Sequence, residues 1–297
     1  MNLIEMVKAA GVVGAGGAGF PTHVKLNTNV EYFIVNAAEC EPLIETDKYL
    51  CRTFADRIIR TIPQIAEAIG ASKKVIALKG AYEKEIAALK VAIREQNSDV
   101  EIFELGYFYP AGDEQTLIQQ VTGRCVPERG LPSDVGCVVD NVGTVLNIAD
   151  ALEGKAVTEK YLSVVGEVEH PIQLRVPIGT PVLECVKAAH PTVSDFALIM
   201  GGPMMGKQLT EQAAMEQAVV TKTTGNILVL PKDHYLFRKA SLPMETVRKQ
   251  TKSACLQCKM CTELCPRNLV GHQIHPNLMM RGLGVGPEVN DNEEDLR

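Results

Sequence analysis

The sequence lacks an apolar stretch long enough to span a membrane, and it lacks an excess of positive charge. No apolar run reaches the roughly 18 residues that a spanning helix needs. The formal net charge is −6, whereas nucleic-acid-binding proteins are more often basic. The N-terminus, MNLIEMVKAAG, mixes acidic and basic residues around no long apolar core, so it is not a secretory signal. We therefore expect a soluble, cytoplasmic protein with no transmembrane segment and no nucleic-acid partner.

We expect no disulfide framework, although the chain has nine cysteines. Disulfides belong to oxidising compartments, and nothing in the sequence indicates secretion. Four cysteines cluster near the C-terminus and are treated below. The other five are scattered and are predicted to be small buried hydrophobic residues: Cys40, Cys51, Cys125, Cys137 and Cys185.

Buried-strand patterns alternate with helical periodicity over the first 150 or so residues. Strands are predicted at 31–37, 73–80, 100–106 and 136–141, with helices between them. One of these helices, over 47–69, is expected to be interrupted at Pro63. Such alternation is typical of a mostly parallel sheet. The sequence therefore predicts an α/β domain over residues 1–158.

The pattern changes after this domain. Short alternating segments with one helix between them predict a small α+β module over 159–207. Residues 208–240 have the composition of a connecting segment with one short strand, and residues 241–297 are helical and rich in cysteine. We thus expect two folded domains, a connection and a helical C-terminal segment.

The stretch GAGGAG matches a dinucleotide-binding fingerprint at Gly14, Gly16 and Gly19. That fingerprint works only where the loop leaves a strand and opens a helix. Here a predicted helix precedes the loop, and Pro21 delays any helix that follows, so a simple Rossmann loop for NAD fits poorly. Residues 14–19 carry no side chain larger than a methyl group, and such a backbone can approach a flat or anionic ligand. Ligand contact is favoured over a tight turn.

The C-terminal cysteines follow the spacing C-x2-C-x2-C-x3-C-P, at Cys255, Cys258, Cys261 and Cys265. This spacing is typical of bacterial [4Fe–4S] ferredoxins, whereas zinc sites usually separate their cysteine pairs by a dozen residues. In two-cluster ferredoxins the fourth cysteine of such a run ligates the other cluster. The chain has no second run, so either Cys265 serves a second cluster in a longer protein or all four cysteines hold one. A helix start at Asn290 or Asp291, cut before its apolar face, favours a C-terminally truncated chain.

Five motifs, in order, carry a resemblance to a known family: GAGGAGFPTHVK (14–25), NAAECEP (36–42), YPAGDEQTLI (109–118), DNVGTVLNI (140–148) and GGPMMG (201–206). Together with the cysteine run, they make the chain similar to flavin-binding subunits of the RnfC type. Relatives of that family include the NADH-oxidising flavin subunit of respiratory complex I and the corrinoid reductases of propanediol utilisation. The resemblance implies a Rossmann-like FMN-binding domain with a parallel sheet, a β-grasp (SLBB-like) module and a helical, ferredoxin-like iron–sulfur segment.

The resemblance also implies roles for individual residues. FMN would lie on the glycine loop and its surroundings, and Phe20, Glu41 and Glu114 would face the nicotinamide and are the catalytic candidates. Ala15, Ala38 and the stretch LNTNV depart from the complex I pattern, which weakens the case for direct NADH oxidation. The cofactor-binding candidates are Gly14, Gly16, Gly17, Gly19, Lys25, Asn36, Glu39, Gly112, Asp113, Asn141 and Thr144.

The implied function is electron transfer from NADH through FMN to a [4Fe–4S] cluster and on to an external acceptor. By resemblance, the acceptor is cob(II)alamin on a corrinoid-carrying protein or adenosyltransferase, inside a bacterial microcompartment with shell proteins as neighbours. Two alternatives stay open. One is an Rnf-type NADH:ferredoxin oxidoreductase subunit, and the other is a redox adaptor that does not itself oxidise NADH. A second cluster is expected in the full-length protein.

Overall fold

A parallel four-stranded sheet forms the core of the N-terminal domain. The computed structural model describes residues 1–285. The strands are β1 (Tyr32–Asn36), β2 (Lys73–Lys79), β3 (Glu101–Leu105) and β4 (Cys137–Asn141), and their order across the sheet is β3-β2-β1-β4. All neighbouring strands are parallel. The α/β fold class with a parallel sheet is therefore confirmed.

Within residues 1–158, α-helices connect and cover these strands. The longest has an apolar stripe, with Ile58, Ile62 and Ile65 completely buried against the strands. The first helix begins with a capping box between Asn2 and Glu5. In chain order the helices are α1 (Leu3–Ala9), α2 (Thr22–Lys25), α3 (Thr46–Thr53), α4 (Ala55–Ala68), α5 (Glu83–Glu95), α6 (Glu114–Thr122) and α7 (Val142–Leu152).

The expected interruption at Pro63 is wrong. The break in the predicted 47–69 helix falls at Phe54, which ends α3 and precedes α4, and Pro63 lies inside α4. Proline lacks the N–H that would bond to the preceding turn, but the helix continues through this loss. Burial of the isoleucine stripe on both sides of Pro63 outweighs the missing hydrogen bond, because tertiary packing supplies most of a helix's stability.

A second sheet of five strands follows. Its strands are β5 (Glu159–Gly166), β6 (Ile172–Pro177), β7 (Phe196–Met200), β8 (Lys207–Leu209) and β9 (Asn226–Pro231), in the order β6-β5-β9-β7-β8. Two helices, α8 (Val182–Ala188) and α9 (Gln212–Gln217), accompany it. The central strand β9 pairs with β5 in parallel and with β7 antiparallel. The sheet thus extends past the predicted boundary at residue 207 and takes its middle strand from the segment interpreted as a connection.

The last part of the described chain is helical. It contains α10 (Tyr235–Ala240), α11 (Met244–Ala254), α12 (Met260–Glu263), α13 (Pro266–Leu269) and α14 (Pro276–Val285). Thr262 in α12 is hydrogen-bonded to Asn277 in α14 through side chain and backbone. The helix start predicted at Asn290 or Asp291 lies outside the described residues. Among residues 1–285, none of the helices has the length and apolarity needed to cross a bilayer.

Candidate functional site

A cavity of about 2040 Å³ lies between the carboxyl end of the parallel sheet, the glycine loop and the second sheet. Its walls contain all the predicted cofactor-binding and catalytic residues except Gly19. Gly19 adopts a positive φ of 67° and shapes the turn behind the wall. The motifs that are far apart in the sequence therefore meet around one space, while the role of each residue stays a prediction.

The glycine loop is closed on itself and fixed from behind. The N–H of Gly14 donates to the carbonyl of Phe20 at 2.9 Å, and the N–H of Gly19 donates to the carbonyl of Gly14 at 3.2 Å. The N–H groups of Gly16, Gly17 and Ala18 have no hydrogen-bond partner within residues 1–285, and all three residues are exposed at the cavity. Three successive N–H donors without partners in this part of the chain are available to an anion.

The loop lies directly on the N-terminus of α7. A Cβ atom added to Gly16 would stand 3.1 Å from the Cβ of Asn141, so a larger residue would fit only if Asn141 shifted. Asn141 caps α7 by accepting from the N–H of Gly143 at 2.9 Å. The hydroxyl of Thr144 accepts from the N–H of Ala15 at 2.9 Å. Asn141 and Thr144 thus hold the loop against a helix N-terminus, which itself favours negative charge.

Two charged residues that the sequence analysis missed stand behind the loop. The ammonium of Lys160 donates to the carbonyl of Ala15 at 3.0 Å, and burial lowers the pKa of Lys160 to about 8. Asp47 accepts from the amide of Asn141 at 2.7 Å, and burial raises the pKa of Asp47. A lysine inside the buried strand β5 was the available signal, because buried charges are normally paired. Asp47 of α3, whose charge opposes the fall in the pKa of Lys160, could not be identified from the sequence.

Lys25 is occupied by acidic partners. Its ammonium lies 3.1 Å from the carboxylate of Glu114 and 3.8 Å from that of Asp140, and it donates to the carbonyl of Val139 at 2.7 Å. Burial is the main reason that the pKa of Asp140 rises to about 7, with Glu114 adding to the rise and Lys25 opposing it. One oxygen of Asp140 is buried without a hydrogen-bond partner in the described part of the chain. Lys25 is therefore part of a charge cluster in the cavity wall and is not an unpaired cation.

Asn36 and Gly112 join two loops at the carboxyl edge of the sheet. The side-chain amide of Asn36 donates to the carbonyl of Gly112 at 2.8 Å and accepts from the N–H of Ala38 at 3.0 Å. The N–H of Gly112 donates to the sulfur of Cys40 at 2.8 Å. A Cβ on Gly112 would stand 2.0 Å from the carbonyl oxygen of Ala38, so only glycine fits. These residues shape the cavity floor through contacts with the protein itself.

Glu39 and Glu41 bring acidic groups to the same wall. Burial raises the pKa of Glu39 to about 7, helped by the charge of Asp47. Glu41 accepts from the N–H of Met204 at 2.9 Å, and its other carboxylate oxygen is buried with no partner among residues 1–285. This contact links the first domain to the loop of the GGPMMG motif in the second sheet. Phe20 is half-exposed on the cavity rim.

The cysteine run lies in a tight turn around α12 and α13. Gln257 and Lys259 adopt positive φ angles between the cysteines. Cys258 and Cys261 are exposed, whereas Cys255 and Cys265 are half-buried. Within the described residues, no three metal-ligating side chains converge on one point. The donor set nevertheless fits an iron–sulfur cluster, because four soft thiolates at ferredoxin spacing are available. Of the nearby histidines, His272 is buried and bonded to the carbonyl of Val126 at 2.9 Å.

Two family models match separate parts of the chain, one over the cavity domain and one over the cysteine run. Residues 7–150 match the family model described as the Nuo51 FMN-binding domain, and residues 254–296 match that of a 4Fe-4S dicluster domain. With the parallel sheet, the glycine-lined cavity and the cysteine run, these matches describe a chain that combines a flavin-binding domain with an iron–sulfur segment. Its cofactors are FMN and a [4Fe–4S] cluster.

Among curated proteins, the chain is similar to cobalamin reductase PduS. It is 46% identical over 281 residues to PduS of Citrobacter freundii and to PduS of Salmonella typhimurium, covering 94% of this chain and 61% of each relative. It is also 34% identical over 272 residues to a component of the Na⁺-translocating ferredoxin:NAD⁺ oxidoreductase complex of Acetobacterium woodii, covering 89% of this chain and 58% of that protein. The chain thus spans about three fifths of the length of these relatives.

A solved structure shares the fold. The chain matches a chain of the crystal structure of NAD⁺-reducing [NiFe]-hydrogenase in the H₂-reduced state, with a TM-score of 0.68 and 23% sequence identity. The match covers 93% of this chain and 55% of that one. At this level of identity the likeness establishes the arrangement of the sheets and nothing about activity.

Proposed function

We propose that the chain takes electrons from NADH and passes them to a corrinoid, reducing cob(II)alamin. The observation that carries this is the meeting of the glycine loop, with its three N–H donors on cavity-lining residues, unpaired within residues 1–285, and the acidic wall of Glu39, Glu41 and Glu114 around one space. The likeness to PduS supports the corrinoid as acceptor. FMN, when bound, supplies the chemistry that accepts a hydride and releases electrons singly. One NADH then serves two corrinoids, each of which gains one electron.

The residues of the chain bind and orient the reactants. The N–H groups of Gly16, Gly17 and Ala18 would hold a phosphate or ring oxygen beside the N-terminus of α7. Phe20 stands on the rim of the cavity with an exposed ring, which suits stacking against a flat ligand. One carboxylate oxygen of Glu41 accepts from the N–H of Met204, and the second is buried without a partner among residues 1–285. That second oxygen is a candidate acceptor for a ligand N–H.

A redox adaptor that receives electrons from another protein is the second candidate. The charge cluster favours it, because Lys25 is paired with Glu114 and Asp140 and is not free to bind a nucleotide phosphate. The Rnf-type alternative is supported by the likeness to the A. woodii protein. In the corrinoid reductase case, the resemblance also supports a corrinoid-carrying protein or adenosyltransferase as neighbour, within a cytoplasmic microcompartment bounded by shell proteins.

The test is the visible spectrum of anaerobically reconstituted protein before and after adding NADH. We expect the flavin band to bleach first and the iron–sulfur absorbance to follow. Glu41→Gln and Phe20→Ala should slow bleaching by NADH at least tenfold while flavin content is retained. Glu104→Gln is the matched control, because Glu104 is exposed and paired with Lys90 outside the cavity walls.

A flavin band that dithionite bleaches but NADH does not would contradict the proposed donor and favour the adaptor. Mixing reduced protein with cob(II)alamin then tests the acceptor. Corrinoid reduction with two corrinoids consumed per NADH supports the proposal. No corrinoid reduction, but rapid reduction of a ferredoxin, favours the Rnf-type alternative.

A further inference from the structure

The cysteine-rich segment is attached to the flavin domain at two points, and one of them is an arginine that the sequence motifs do not include. Arg267 lies in α13, two residues after Cys265. One of its guanidinium nitrogens is 2.7 Å from the carboxylate of Asp113, and another donates to the side-chain oxygen of Gln115 at 2.5 Å. The planar guanidinium thus engages two acceptors at once, which fixes its direction as well as its distance.

Both acceptors belong to the start of α6. Asp113 is the N-cap of α6 and also accepts from the N–H of Thr116 at 3.1 Å. Its carboxylate is therefore held in place before Arg267 approaches. Asp113 also lies in the wall of the cavity. Arg267 consequently reaches from the cysteine segment to the edge of the candidate flavin site.

A second contact between the cysteine-rich segment and the first domain lies a few residues further along the chain. The ring of His272 is buried and bonded to the carbonyl of Val126 at 2.9 Å, and the N–H of Gln273 donates to the carboxylate of Glu128. In the part of the chain that the structure describes, every hydrogen bond between residues 241–285 and the first domain involves Arg267, His272 or Gln273. The helices α11, α12 and α14 pack on one another instead.

We infer that Arg267 is a positioning residue for electron transfer. Its two hydrogen bonds, to Asp113 and Gln115, form a fork that holds the Cys265 end of the cysteine-rich segment at the wall of the flavin cavity. His272 fixes the same segment at a second point, so loss of the fork lets the segment pivot without detaching. The inference rests on the proposed function in that electrons must pass between the two sites. It does not depend on which donor or acceptor is used.

The test compares Arg267→Gln with Arg248→Gln in reconstituted protein. Arg248 is a matched control, because it lies in α11 of the same segment and faces Glu245 of its own helix. Hydrogen exchange should accelerate at least tenfold in peptides covering 113–122 and 265–273 of Arg267→Gln, and remain unchanged in Arg248→Gln. Iron, sulfide and flavin contents should equal those of the wild type.

The kinetic readout uses a photochemical reductant as well as NADH. In Arg267→Gln, flavin bleaching should keep its wild-type rate, while the following bleaching of the cluster slows at least tenfold. Arg267→Lys should recover part of the rate, because lysine restores the charge beside Asp113 without the second arm of the fork. Gln115→Leu removes that arm alone and should give an intermediate rate, which keeps the test valid if Arg267→Gln folds poorly.

Wild-type exchange and wild-type cluster bleaching in Arg267→Gln would overturn the inference. Equal slowing in Arg248→Gln would also overturn it, because a general loosening of the segment would then explain the effect. If NADH fails to bleach the wild-type flavin, the proposed donor is wrong, but the photochemical arm still decides the role of Arg267.

Discussion

The hydroxyl of Thr144 accepts a hydrogen bond from the N–H of Ala15 at 2.9 Å and is completely buried. This bond fastens the middle of the glycine loop to the first turn of α7. On the other side of the same residue, Lys160 donates to the carbonyl of Ala15. The loop is therefore held at one residue from two directions, and the N–H groups of the next three residues have no hydrogen-bond partner among residues 1–285.

Thr144→Val should release this attachment. The N–H of Ala15 would remain buried without a partner, which costs about 1–3 kcal/mol of stability. Urea unfolding of the flavin-free protein measures the loss, and equilibrium dialysis should show weaker FMN binding. Thr144→Ser keeps the hydroxyl and should bind FMN like the wild type. Equal stability and equal FMN binding in Thr144→Val would show that the bond does not hold the loop.

Gly112→Ala should destabilise the protein because the added methyl group has no room. Its Cβ would stand 2.0 Å from the carbonyl oxygen of Ala38, a backbone atom that cannot rotate away. Such overpacking costs about 1–3 kcal/mol, so the thermal midpoint should fall. Gly282→Ala is the control, because a Cβ there meets nothing within 4 Å in α14. A thermal midpoint equal to the wild type in Gly112→Ala would contradict this account of the cavity floor.

The buried Asp140 should make stability depend on pH. Its pKa rises from an ordinary value of 3.8 to about 7 in the fold, mainly through burial. The folded state therefore binds more protons than the unfolded state between these values, so stability is full below pH ~4 and falls as the pH rises toward 7. The loss reaches at most roughly 4 kcal/mol. Glu39, whose pKa also rises to about 7, contributes a slope of the same sign.

Asp140→Asn removes the titrating group and tests this slope. We expect a shallower fall of unfolding free energy between pH ~4 and ~7, and a variant more stable than the wild type at pH ~8. Asp233→Asn is the matched control, because Asp233 is exposed and the substitution should leave the slope unchanged. A slope in Asp140→Asn as steep as in the wild type would mean that Asp140 does not gain its proton on folding.

The sequence was sufficient for the elements whose signal is local. Each strand of the parallel sheet lies within two residues of its prediction, because strand length, apolar content and flanking polar residues are all local signals. The strand β9 was predicted as a strand of the connecting segment, whereas it is the central strand of the second sheet. Its pairing with β5 and β7 is a long-range contact that no local pattern encodes.

The candidate site shows the same division. The glycine loop, Asn141 and the acidic motif stand out by residue type and spacing, and the structure brings them to one cavity. Asp47, Lys160 and Arg267 carry equally specific contacts, but each depends on a partner from a distant part of the chain. A charged residue alone reads as a solvated surface group, so only the fold reveals these pairings.

The cysteine run gives a prediction that separates the two cofactors. Cys258→Ser should lose iron and acid-labile sulfide, because a hydroxyl is a poor substitute for a soft thiolate ligand. FMN content should stay at the wild-type level, since the flavin domain has its own buried core. Cys125→Ser is the control, because Cys125 lies outside the run and is exposed, so the prediction that it is buried is wrong. Full iron content in Cys258→Ser would exclude Cys258 as a cluster ligand, and joint loss of iron and FMN would mean that the two sites fold as one unit.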